Sequence, residues 1–120
     1  HGPMAGMTKH AYQRQLEALI TATEIPGRCE ITYKSVFGAV AAYADGEIFM
    51  TCGNFGLALK LPGDVCATLM AMGTGSPLKY FEKGHIKRNY VVLHDHALND
   101  RARMKRLLDN SLAFIQDGRS

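Results

Sequence analysis

The sequence predicts a two-layer α+β sandwich: an antiparallel sheet with helices on one side, in the order α-β-β-β(β)-α-β-β-α. Three observations predict it. Residues 36–60 alternate short β-forming runs with glycine-bearing turns, the pattern of an antiparallel meander. Both ends of the chain carry apolar residues at helical spacing. Consecutive strands joined by short turns pair with one another, which leaves the helices to cover one face of the sheet.

Each element follows from local chemistry. Thr8 is a candidate N-cap, and behind it Tyr12, Leu16, Leu19 and Ile20 recur with helical period. Ile25-Pro26-Gly27 ends that helix, because proline lacks the amide and blocks the preceding turn. Ile31-Thr32-Tyr33-Lys34 is a short first strand. Ala39–Ala44 is a strand of low bulk against which a helix can pack closely. Asp45-Gly46 is a two-residue turn of the I′ type, which needs positive φ at both positions. In the next strand Ile48, Met50 and Cys52 point one way, and Glu47, Phe49 and Thr51 the other. Gly53-Asn54-Phe55-Gly56 is a longer loop, after which Leu57, Leu59 and Leu61 share a face opposite Lys60.

Pro62-Gly63-Asp64 leads into a short helix with Asp64 as its cap and Val65, Leu69 and Met72 facing inward. Gly73-Thr74-Gly75-Ser76-Pro77 stops it. Leu78–Phe81 and Ile86–Leu93 read as two strands around a Lys83-Gly84 turn. Asn99 or Asp100 caps a final helix. Its inner face is Met104, Leu107, Leu108, Leu112 and Ile115, with Phe114 beside it, and Gly118 closes it.

The 120 residues suit one domain, read as 8–117, with 1–7 a tag remnant or disordered and 118–120 a tail. Such a domain buries roughly two-thirds of the surface its unfolded chain exposes, enough for a single core. Apolar residues at 47% and charged residues at 21% sit near globular averages. No apolar run approaches the ~20 residues of a membrane-spanning helix, and no signal-peptide pattern opens the chain. Cys29, Cys52 and Cys66 are odd in number and form no CxxC, so they read as reduced thiols rather than a disulfide framework.

Several residues invite chemistry. Phe37-Gly38 is a candidate docking feature; the structural reading, preferred here, has glycine bending the backbone and phenylalanine filling the core. His94-Asp95-His96, with His85, invites a metal, but zinc needs three or four converging ligands and nothing else here has ligand spacing. A polar loop is the preferred reading. Cys52 or Cys66 beside a histidine would make a nucleophile pair; both fall on apolar faces, where cysteine behaves as a small hydrophobe. Neither a catalytic group nor a cofactor or metal site is assigned. Lys79, Lys83, Lys87 and Arg88 lie on the late hairpin, and Arg101, Arg103, Lys105 and Arg106 on the last helix. If hairpin and helix face the same way they form a basic surface for phosphates or an acidic partner. A solvated face is the alternative, and a net charge of +3 is mild for a nucleic-acid binder.

The order and spacing of these blocks resemble the N-terminal domain of the TfoX/Sxy family. The residues that carry the likeness are Phe37-Gly38, then Asp45-Gly46, then Ile48-Phe49, then Leu57 to Lys60 with its Leu59-Lys60 ending. The strand at Ile86 to Val92, with Tyr90, follows, and the closing helix matches 99–116. Val36 stands where the family has methionine, Ala39 where it has a second glycine, and His94 where it has proline. The resemblance implies a fold like that of the secretion chaperones, which often dimerise. It also implies a cytoplasmic bacterial protein that regulates DNA-uptake competence alongside a promoter-bound activator. The family's regulators usually carry a second, helical domain, and no catalytic residues are carried over from its N-terminal domain. The expectation is a non-enzymatic regulatory domain, a homodimer that works by protein–protein contact in transcription. The alternatives are direct nucleic-acid binding through the basic hairpin and helix, and a metal- or thiol-dependent enzyme.

Overall fold

The computed structural model describes residues 2–25, 27, 29–80 and 83–117, with side chains described from Lys9 onward. The element order is α1 (Gly2–Ala22), β1 (Ile31–Val36), β2 (Ala39–Ala44), β3 (Glu47–Gly53), β4 (Gly56–Lys60), α2 (Gly63–Ala71), β5 (Gly75–Pro77), β6 (Tyr90–Leu93), α3 (Asp95–Leu98) and α4 (Arg101–Asp117). Among the described residues six strands form one sheet in the order β1-β2-β3-β4-β6-β5, and every pairing is antiparallel. All four helices send residues into the core on one face: Leu16 and Ile20 from α1, Cys66 and Leu69 from α2, Ala97 from α3, and Met104, Leu108 and Leu112 from α4. The expected α+β sandwich with helices on one side is the fold observed.

The first helix begins at Gly2 and runs through Thr8, so Thr8 is not its cap. Pro3 lies in the first turn, where a missing amide costs nothing. The helix stops before Pro26, which lies outside the described residues. Glu24 adopts φ 62, its amide bonds the Thr21 carbonyl at 3.2 Å, and the Ile25 amide reaches the Ile20 carbonyl at 3.3 Å. Those two bonds are the Schellman pattern, and buried Ile25 and Ile20 supply its apolar contact. A glutamate is strained in that left-handed position. Glu24→Gly is therefore expected to stabilise the domain by about 0.5–1 kcal/mol, read as a higher urea midpoint at unchanged slope.

The meander is made by three two-residue connections. Val36 pairs Ala39, and Phe37 and Gly38 adopt φ 50 and 80, so this pair forms a hairpin turn with positive φ at both positions. Asp45 and Gly46 adopt φ 50 and 86, as a I′ turn requires. The Asp45 carboxylate also accepts the Glu30 amide at 2.9 Å, while the Asp45 amide donates to the Glu30 carbonyl at 2.8 Å. That exchange pins the second turn to the start of β1. Gly53 pairs Gly56 directly, so Asn54-Phe55 is a tight connection and not the longer loop expected.

Strict alternation fails in β3. Tyr43 faces Ile48 and Ala42 faces Met50, which leaves Phe49 as an extra residue on its strand. This bulge brings Phe49 and Met50 into the same core, where alternation had placed them on opposite sides. Leu57, Leu59 and Leu61 all reach that core as expected.

The second half departs further. Pro62 is the N-terminal flanking residue of α2, and Asp64 sits in the first turn without a side-chain cap bond; its charge there still favours the helix dipole. Cys66 and Leu69 are buried, whereas Met72 is 61% exposed. Gly73, at φ 74, ends the helix, with the Thr74 amide on the Leu69 carbonyl. The segment read as a breaker then becomes β5, which pairs β6; of the strand expected at Ile86–Leu93 only Tyr90–Leu93 forms, and Leu78–Tyr80 of the strand expected at Leu78–Phe81 are not in a strand, Phe81 lying outside the described residues. Pro77 is tolerated because β5 is an edge strand. His94 flanks α3, so the triplet expected to be a loop opens a short helix. Asp100 caps α4, its carboxylate accepting the Arg103 amide at 3.1 Å. The five residues read as the inner face of α4 are all buried; Gly118 lies outside the described residues.

Candidate functional site

Alternating turns of a meander fall at opposite ends of the sheet. The Phe37-Gly38 and Asn54-Phe55 turns therefore share one end, away from Asp45-Gly46. Tyr80 arrives at the same end from the segment after β5. Its ring meets Phe37 edge-on at 5.4 Å and Phe55 edge-on at 5.4 Å. Two hollows adjoin this cluster. One, of about 810 Å³, is lined by Phe55, Ser76, Lys79, Tyr80, His94 and Asp95 among others; the second, of about 280 Å³, lies between Tyr12, Phe37, Gly38, Phe55 and Tyr80. Phe37 is 66% exposed, which overturns its reading as a core side chain. A side chain on a tight turn projects outward from the sheet end, so the ring meets Tyr80 there and not the core. Of the remaining signature residues, Phe49 and Leu59 are buried core. Asp45 and Gly46 make a turn at the far end, and Lys60 and Tyr90 face each other across β4 and β6.

The two halves of the expected basic surface do not meet. The inner face of α4 packs on the helix-side core, so Arg101, Arg103, Lys105 and Arg106 lie on that side of the molecule. Leu78 and Tyr80 instead pack on Ala58 and Val92 at the opposite sheet face, and Lys87 lies 5.8 Å from the Tyr80 ring centre. Lys79 lines the larger hollow at the sheet end, which Gln15 and Leu98 of the helices also line, while Lys83 and Arg88 are exposed.

His94 is fully engaged. Its Nδ1 lies 2.9 Å from the Gly73 carbonyl, which can only accept, so Nδ1 donates there, and Nε2 is hydrogen-bonded to the Ser76 hydroxyl at 2.7 Å. The imidazole thereby ties the edge strand β5 to the end of α2. Its ring nitrogens are not presented to a metal, and among the described residues no group of three or more potential ligands converges. The His96 ring stands beside it at 6.2 Å.

Both buried thiols are held protonated at neutral pH. Burial pushes Cys52 up to about 11 and also raises Cys66, whose thiol donates to the Leu61 carbonyl at 3.5 Å. A thiol of this kind is a poor nucleophile. Burial also pushes the Tyr90 hydroxyl up, helped by Tyr80 and Tyr43 nearby. In the unfolded chain the Cys52 thiol ionises near 9.0. Its contribution is therefore intact below pH 9 and is lost as pH rises through 9 to 11, by about 2–3 kcal/mol in all. Urea midpoints taken from pH 8 to 11 should fall, and fall less steeply in Cys52→Ala.

Sequence reasoning missed Tyr80 and Phe55 as partners of Phe37. Two Gly-flanked turns spaced one hairpin apart were the available signal, because turns separated by an intervening turn share a sheet end.

The family model described as the TfoX N-terminal domain matches residues 27–115 of the 120. The match begins after α1 and takes in the whole sheet and nearly all of α4. None of the curated proteins matches the chain.

Proposed function

Because the chain belongs to the TfoX N-terminal domain family, we propose that it is a regulatory interaction domain that works through its surface in transcription. The contact point is the aromatic end of the sheet formed by Phe37, Tyr80 and Phe55. One observation carries this reading: Phe37 holds φ 50 on a tight turn with its ring 66% exposed. Both features cost stability. A bulky side chain in the left-handed region is strained by roughly 1 kcal/mol or more, and an exposed ring forgoes its burial energy. Asparagine would relieve the strain at no loss of core. A residue that is bad for the turn and idle in the core suits a docking contact, as exposed aromatics commonly anchor interfaces.

The protein partner is a transcription activator or RNA polymerase, and the domain acts in the cytoplasm of a bacterium as a homodimer. The outer edge of β1 is the surface offered to a second copy, since β1 ends the sheet and spans six residues. Catalysis has no part in this reading.

The test separates binding from folding. Phe37→Asn is expected to leave the urea midpoint unchanged or to raise stability by less than about 1 kcal/mol. Affinity capture from the source cell should retain a transcription protein on the natural chain and lose it on the variant. Equal retention by both chains would remove the aromatic end as the contact point. A monomer throughout a concentration series in light scattering would remove the dimer.

A further inference from the structure

The sheet face away from the helices carries an ordered set of lysine–tyrosine pairs. Lys34 Nζ lies 5.0 Å from the centre of the Tyr43 ring, Lys60 Nζ lies 6.0 Å from that of Tyr90, and Lys87 Nζ lies 5.8 Å from that of Tyr80. Strand alternation puts the first two pairs on this face. Val40, Ala42 and Ala44 enter the helix-side core, so Tyr43 points away from it; Leu57 and Leu59 do likewise, so Lys60 points away. Tyr80 and Tyr90 pack with Ala58 and Val92, which are buried on the same face. The strands between the pairs contribute Ala41, Thr51 and Ala58, small residues that are fully buried, and Leu78 packs over Ala58 and Val92. What this face presents is therefore the half-buried rings of Tyr43, Tyr80 and Tyr90, each with a cation over it.

We propose that this face binds single-stranded nucleic acid. The inference goes beyond the protein-contact reading and does not depend on it. Lys34 on β1 and Lys60 on β4 are three strand spacings apart, about 14 Å. One small anion cannot bridge that distance, whereas a polyanion lying across the strands meets both. Rings beside the cations add what a bare basic patch lacks, a surface on which an unpaired base stacks. A phosphate that pairs with the ammonium draws it off the ring and leaves the ring face to the base beside that phosphate. A duplex keeps its base faces hidden and gains only the charge term.

The experiment uses the full chain with a 12-nucleotide oligothymidylate at 50 mM salt. The chain has no tryptophan and five tyrosines, so tyrosine emission reports stacking directly. Binding is expected, with quenched emission and a log–log salt slope near about −2, as three neutralised phosphates on a single strand require. Lys34→Glu, Lys60→Glu and Lys87→Glu together should lose affinity by about tenfold or more. Arg101→Glu, Arg103→Glu and Arg106→Glu together change net charge equally on the opposite side, and affinity should stay within about twofold if this face is the site. Should the lysine variant melt early, the corresponding triple glutamine variant must show the same loss with the fold intact. No binding of the oligonucleotide overturns the proposal. Equal losses in the two charge variants overturn it as non-specific attraction. Equal competition by heparin, polyglutamate or a 12-base-pair duplex, without quenching, overturns the stacking and with it the single-strand assignment.

Discussion

Phe49→Ala is expected to cost about 3–5 kcal/mol and to lower the urea midpoint more than any surface change. The ring is fully buried, so its loss removes both transfer energy and the packing of its neighbours. Its position makes relaxation difficult. Phe49 is the extra residue of a bulge, without a partner across the ladder to β2. Its carbonyl accepts the Ser111 hydroxyl of α4 at 3.2 Å. The backbone there is tied to a helix above the sheet and cannot slide to close the cavity. Phe49→Leu keeps most of the volume and should cost less than half as much. An alanine variant within about 1 kcal/mol of the natural chain would mean that the bulge is not the anchor of the core.

Gly75→Ala is expected to cost about 1–3 kcal/mol through overpacking. The reason is space and not backbone conformation. A Cβ at this buried position would overlap the Val91 side chain and sit 2.9 Å from the Val92 carbonyl. The side chain can yield, but the carbonyl belongs to the β6 ladder. With only three residues at the sheet edge, β5 has little pairing to lose before it separates. Amide exchange should therefore accelerate at 75–77 and 91–93 before the helix-side core is affected. Adding Val91→Ala should recover part of the loss, giving a favourable coupling of at least about 0.5 kcal/mol in a double-mutant cycle. Additive losses would place the strain on the carbonyl alone.

These two positions also show where the sequence is legible. The meander and its Asp45-Gly46 turn can be read directly, because a two-residue Asp-Gly turn has few other uses. The five inner residues of α4 can be read from their period, since one helix face packs on one sheet face. The Phe49 bulge is invisible to a strict period of two, which assigns each residue a side and permits no extra one. Gly75-Ser76-Pro77 carries breaker composition, and only its edge position lets it pair. Phe37-Gly38 makes a turn with a residue that rarely takes positive φ, so local chemistry argues against the conformation that is found. That same conflict between local preference and observed backbone marks the candidate site. The expected basic surface failed for a different reason. The sheet itself separates the α4 cations from Lys87, and no linear pattern records which face a segment covers.

The aromatic end of the sheet, Phe37 with Tyr80 and Phe55, is the proposed working surface. Hydrogen–deuterium exchange on the chain, alone and with its captured partner, tests this most directly. Slowed exchange is predicted at residues 37–39, 54–56 and 78–80, with the outer face of α4 unchanged. Protection confined to 101–106, with the two turns exchanging at their original rates, would contradict it.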